Sequence, residues 1–119
     1  MSGRIRQQLE KSLQYIDAHL GEKLTVQEVA GIACISMFHF QRLFSAYLGE
    51  TVSQYILHRR LEFAAQTIVN SDKVRLADLA RKSGFETHSA FSRAFKKHFD
   101  VTPKEFRESP NSAKLGSDR

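Results

Sequence analysis

The sequence predicts an all-α fold made of two helix-turn-helix subdomains. Three observations carry that reading. First, one pattern is written twice, at residues 24–44 and again at 74–95. Val26, Val29, Ala30 and Ile35 pair with Leu76, Leu79, Ala80 and Phe85 at an offset of 50. Phe40, Arg42 and Phe44 pair with Phe91, Arg93 and Phe95 at 51, and this continues through Thr51/Thr102 and Tyr55/Phe106. A repeat this long means that one structural unit is used twice. Second, only two prolines and six glycines punctuate 119 residues, and β-branched alternation is nowhere sustained. Third, apolar residues recur every three or four positions between capping signals.

Taken in order, Ile5, Leu9, Leu13, Ile16 and Leu20 have the spacing of an amphipathic first helix that Gly21 can end. Thr25 with Glu28, Thr51 with Gln54, and Thr102 with Glu105 each read as a capping box, placing helix starts at 26, 52 and 103. Pro103 adds a pre-set φ just inside the last of these. Bracing helices are expected at 26–33 and 76–83, with small Ala30 and Ala80 where two backbones must approach closely. The helices that follow them, 37–48 and 87–98, place Phe40, Leu43, Phe44 and Tyr47, and then Phe91, Ala94, Phe95 and His98, on core-facing sides.

Between the copies, 52–70 has no breaker and sends Tyr55, Ile56, Phe63, Ala64 and Ile68 toward a core. At 1.5 Å per residue it is a rigid connector about 28 Å long. The expected organisation is a first subdomain at 4–50, the connector at 51–70, a second subdomain at 71–108, and a disordered tail or linker at 109–119.

A net charge of +5 favours a polyanionic partner, and 41% hydrophobic residues suffice for a core. No apolar run approaches the roughly 18 residues of a membrane span, and the N-terminus lacks the apolar core of a signal peptide. Cys34 alone allows no internal disulfide, so a cytoplasmic setting is expected, nucleoid-associated if the polyanion is DNA, with no membrane partner. His19, His39, His58, His88 and His98 show no metal-ligand spacing. Glu10, Asp17, Glu22 and Asp78 form no acid/base pair, and no phosphate loop or nucleophile triad occurs. The expectation is a protein that is not an enzyme and takes no cofactor or metal.

In a helix-turn-helix the second helix lies in the major groove of DNA, its N-terminal part against base edges. The residues left exposed there are Met37, Phe38, His39, Gln41 and Arg42 in the first copy, and Thr87, His88, Ser89, Ser92 and Arg93 in the second. Arg can bond guanine O6 and N7 in pairs, and Gln can do the same to adenine N6 and N7. Candidate base readers are therefore Phe38, His39, Gln41, Arg42, His88, Ser89, Ser92 and Arg93, led by the matched pair Arg42 and Arg93. Candidate backbone anchors are Ser36, Arg59, Arg60, Thr87, Lys96, Lys97 and Lys104.

These residues resemble the DNA-binding domain of the AraC/XylS family of bacterial transcription regulators, over about residues 5–107. The most specific stretch is Gly84-Phe85, Ser89, Phe91-Ser92-Arg93, Phe95-Lys96, Phe99, Thr102-Pro103 and Phe106-Arg107. The runs Ser36, His39-Phe40, Arg42-Leu43-Phe44 and Tyr55-Ile56, Arg59, Leu61, Ala64 match as well. The resemblance implies seven helices of homeodomain-like, AraC-type architecture. It implies two reading helices in successive major grooves of an asymmetric promoter site, and an activator that recruits RNA polymerase. The chain departs from the family pattern at four positions: Phe38 replaces a tryptophan, Cys34 stands where the second copy has Gly84, Arg75 stands where Thr25 caps the first copy, and Asp100 replaces a glycine.

Two versions of this reading exist. In one the chain is a complete one-module regulator; in the other it is the N-terminal part of a longer protein whose effector-sensing domain follows residue 119. The alternative of another class is a protein-interaction module of the transcription machinery without sequence readout.

Overall fold

The computed structural model describes residues 3–109, and the chain divides into two compact units, residues 1–59 and 60–119. The expected disorder at 109–119 lies outside the described residues except for Ser109. Seven helices are present among the described residues: α1 (Gly3–Ala18), α2 (Val26–Ala33), α3 (Met37–Leu48), α4 (Val52–Asn70), α5 (Leu76–Lys82), α6 (His88–Phe99) and α7 (Pro103–Glu108). There is no strand among the described residues. The fold is all-α, as the spacing predicts.

The first unit packs Leu9 and Ile16 of α1, Val29, Ala30 and Ala33 of α2, Phe40 and Phe44 of α3, and Val52 and Ile56 of α4 into one core. Phe44 meets Phe40 and the edge of Tyr55 at centroid separations of 5.6 and 5.5 Å, a tilted and a T-shaped contact. The second unit gathers Leu61, Ala64 and Ile68 of α4, Leu79 and Ala80 of α5, three phenylalanines of α6, and Phe106 of α7. Its centre is a chain of rings in which Phe95 touches Phe91, Phe99 and Phe106 at 5.7, 4.6 and 5.5 Å.

Each unit is thus four helical segments, and α4 serves both. Its first turns are the last segment of unit 1. Its remainder gives unit 2 the buried Leu61, Ala64 and Ile68, which repeat the 0, +3, +7 spacing of the buried Leu9, Ser12 and Ile16 of α1. All six are buried.

The turns explain why the two copies can differ in sequence and share a backbone. At the end of α2, Ile35 N–H bonds the Ala30 carbonyl and Cys34 N–H bonds that of Gly31. Phe85 and Gly84 do the same to Ala80 and Arg81 after α5. Both are Schellman ends, which need a left-handed residue. Cys34 (φ 60°) fills that place in one copy and Gly84 (φ 92°) in the other. At the ends of α3 and α6 the left-handed residues are Gly49 (φ 78°) and Asp100 (φ 67°), bonded to the carbonyls of Ser45 and Lys96. Each glycine of one copy is answered by a side chain in the other.

The helix starts fall where the capping residues predict, at Val26, Val52 and Pro103. Thr51/Gln54 and Thr102/Glu105 form complete reciprocal boxes. Thr25 receives the Glu28 N–H at 3.1 Å, but the Glu28 carboxylate accepts from the Tyr15 hydroxyl of α1. Only half of that expected box forms, because a tertiary partner takes the acid. Arg75 heads α5 with no side-chain cap, as its lack of a short hydroxyl predicts.

Two expectations about the core are corrected. Phe63 is 42% exposed: Leu61, Ala64 and Ile68 take the inner side of α4, and at 100° per residue Phe63 points away from it. Tyr47 is 39% exposed in the last turn of α3, where its hydroxyl accepts from Arg6 Nε at 2.8 Å. The second bracing and reading helices run 76–82 and 88–99, within a residue of the expected bounds, with Ser83 and Thr87 as the caps outside them.

Candidate nucleic-acid interface

Both reading helices are held by their inner faces. Phe40 and Phe44 of α3, and Phe91, Phe95 and Phe99 of α6, are buried, which fixes each helix and leaves the opposite side to solvent. α2 and α3 are bent by 84° at the three-residue break 34–36, close to the near-perpendicular crossing of a helix-turn-helix. The buried Ala30 and Ala80 lie on the bracing helices, as the close approach of backbones requires.

On α3, Phe38, His39, Gln41 and Arg42 are all exposed, with Met37 beside them. On α6, His88, Ser89 and Arg93 are exposed, while Ser92 is half-buried, a correction to its expected exposure. Ala94 and His98 are half-buried on the core-facing side. Arg42 and Arg93, matched in sequence, are both on the solvent side of their helices.

Neither reading helix carries a carboxylate. The chain has 13 Asp and Glu, yet none lies within 37–48 or 88–99, where Arg42, Arg93, Lys96 and Lys97 stand among three histidines. The exposed surfaces of α3 and α6 are therefore neutral or cationic, the condition for contact with a polyanion.

The candidate anchors are less alike. Ser36 caps α3 through its backbone geometry alone, with no side-chain cap bond. Thr87 spends an acceptor lone pair on the Ala90 N–H at 3.0 Å. Lys96, Lys97 and Lys104 are exposed. Arg59, by contrast, donates from Nε to Asp17 at 3.0 Å, an ion pair between α4 and α1 inside the first unit. Arg60 is half-buried, and burial pulls its guanidinium below the ordinary arginine range while leaving it a cation at neutral pH. These two are less available to a phosphate than the lysines.

Two residues not singled out from sequence lie beside the first reader. An open groove of about 420 Å³ brings Arg4, Ile5 and Gln8 of α1 next to Cys34, Ser36 and His39. Arg4 and Gln8 are four residues apart on α1, but so are Arg6 and Glu10, and Gln7 and Lys11, so the sequence carries no signal that singles them out. Among the described residues no group of three His, Cys, Asp or Glu could hold a metal ion, and no single helix is long and apolar enough to cross a membrane.

Comparison with known proteins agrees with this geometry. Residues 29–109 match a family described as a helix-turn-helix domain. The probable transcription factor PqrA of Proteus vulgaris is 35% identical over 98 residues, covering 81% of this chain and 80% of PqrA. A solved AraC-type DNA-binding domain-containing regulator from Chromobacterium violaceum superposes with a TM-score of 0.79 at 28% identity, covering 88% of this chain and 96% of the other. The chain belongs to the AraC/XylS family. The HTH-type transcriptional regulator YbfP of Bacillus subtilis is 34% identical over 99 residues, 83% of this chain but 33% of YbfP. The chain thus spans about a third of the length of the first curated AraC/XylS relatives it matches.

Proposed function

We propose that this AraC/XylS-family domain binds double-stranded promoter DNA sequence-specifically and regulates transcription, as an activator that recruits RNA polymerase. α3 and α6 read bases in successive major grooves of an asymmetric site, Arg42 and Arg93 leading. Phe38, His39, Gln41, His88, Ser89 and Ser92 read beside them. Ser36, Thr87, Lys96, Lys97 and Lys104 hold the backbone, with Arg59 and Arg60 contributing less. The observation that carries the reading is the pair of exposed, carboxylate-free helices whose matched arginines sit just past the N-terminal turn. In a longer protein, an effector-sensing domain would set when the domain binds.

The test is selection of bound duplexes from a randomised library at near-physiological salt, repeated with Arg42→Ala and Arg93→Ala. Each substitution should weaken specific binding by about 1–3 kcal/mol and relax preference in a different half-site. Relaxation in the same half by both would contradict one reader per groove. No enrichment would leave the interaction-module alternative.

A further inference from the structure

Aligning the two readers by their caps, Ser36 with Thr87, exposes a difference of chemical kind. At the first two helical positions α3 carries Met37 and Phe38, whereas α6 carries His88 and Ser89. Phe38 is 77% exposed, the most exposed of the large apolar side chains described, and Met37 beside it is 39% exposed. Scattered exposed apolar residues need no explanation. This pair is different in place: it forms the leading turn of a helix that has no carboxylate and carries Gln41 and Arg42 one turn further on. Its repeat mate performs the same structural role with hydrogen-bonding side chains.

The major groove offers one apolar group, the C5-methyl of thymine, and many hydrogen-bonding ones. A phenyl ring placed there gains by covering that methyl and gains little from a bare base edge. We propose that the two halves of the DNA site are read by different chemistry: α3 discriminates on thymine C5-methyl groups through Phe38 and Met37, and α6 is indifferent to them. This inference rests on the DNA-reading function proposed above.

The test uses the duplex selected by the chain, with the α3 half defined as the one whose preference relaxes in Arg42→Ala. Thymines are replaced by deoxyuridine in one half at a time, which deletes the methyl and leaves every hydrogen-bonding group in place. Affinity is read by fluorescence anisotropy at fixed salt. Each contacted methyl removed from the α3 half should weaken binding about four-fold, the equivalent of ~0.8 kcal/mol. Replacement in the α6 half should change affinity by less than about two-fold, since the leading turn of α6 exposes no large apolar side chain to cover the methyl.

Phe38→Ser gives α3 the side chain found in α6 at a position too exposed to threaten the fold. It should abolish the deoxyuridine effect and bind both duplexes about as wild type binds the deoxyuridine one. Equal losses in both halves, an effect that survives Phe38→Ser, or an α3 half without thymine would each overturn the proposal while leaving sequence-specific binding intact. Loss of sequence selection by the wild-type chain would instead overturn the function beneath it.

Discussion

Replacing Cys34 by glycine should stabilise the first unit. Cys34 closes the Schellman end of α2 at φ 60° and ψ 39°, left-handed geometry that costs an L-residue about 1–2 kcal/mol. Glycine adopts it without that cost but loses about 0.5–1 kcal/mol more conformational freedom on folding. The thiol is exposed, so little burial is lost. The difference is a gain of about 0.5–1 kcal/mol, or about 2–8 °C in the melting temperature of a unit this size. Urea and thermal unfolding followed by circular dichroism would read it, with Cys34→Ala as the control. Alanine keeps the Cβ and its strain and removes only the sulfur, so its stability should stay near wild type. If Cys34→Ala stabilised as much as Cys34→Gly, the thiol and not the backbone would be the cause. If Cys34→Gly destabilised, the left-handed geometry would cost less here than the freedom glycine loses on folding. The repeat supplies an internal precedent, because Gly84 occupies the matching place at φ 92°.

Two further perturbations test packing and capping. Ser83 is fully buried and its hydroxyl has no hydrogen-bond partner among the described residues, while its counterpart in the first copy is the buried Ala33. Ser83→Ala should therefore raise stability by about 1 kcal/mol in urea unfolding, and a loss would show that the hydroxyl is satisfied in solution. The Thr102 N–H, and then the Thr102 hydroxyl, hold the Glu105 carboxyl below its ordinary range. The lowered value means that its stabilising contribution is present above the usual carboxylate range, near pH 4.3, and is lost as pH falls through the depressed value. Glu105→Gln keeps a box like that of Thr51 and Gln54, so it should match wild type at pH 7 and decline less below about pH 4. Parallel acid declines in urea midpoints would refute this.

The chain's order of helices was legible because its punctuation is local. Thr51, Thr102 and Pro103 act within one turn of themselves, and the phenylalanines of α3 and α6 repeat at helical spacing, so helix starts and the inner faces of both readers follow from neighbours a few residues apart. The solvent side of each reader is the remainder of that pattern, and Arg42, Arg93 and Phe38 could be placed there without coordinates. Other features depended on what packs against what. Phe63 reads as core until Leu61, Ala64 and Ile68 are seen to take the inside of α4. Glu28 reads as half of a capping box until Tyr15, thirteen residues away, takes its carboxylate. Arg59 reads as a fully available cation until Asp17, 42 residues away, pairs with it. The double use of α4, with Val52 and Ile56 in one core and Leu61, Ala64 and Ile68 in the other, has no local signature at all. Helix ends are decided by hydrogen bonds within a few residues, which a sequence writes out. Burial and ion pairing are decided by distant segments competing for the same surface, and only the folded chain shows which one wins.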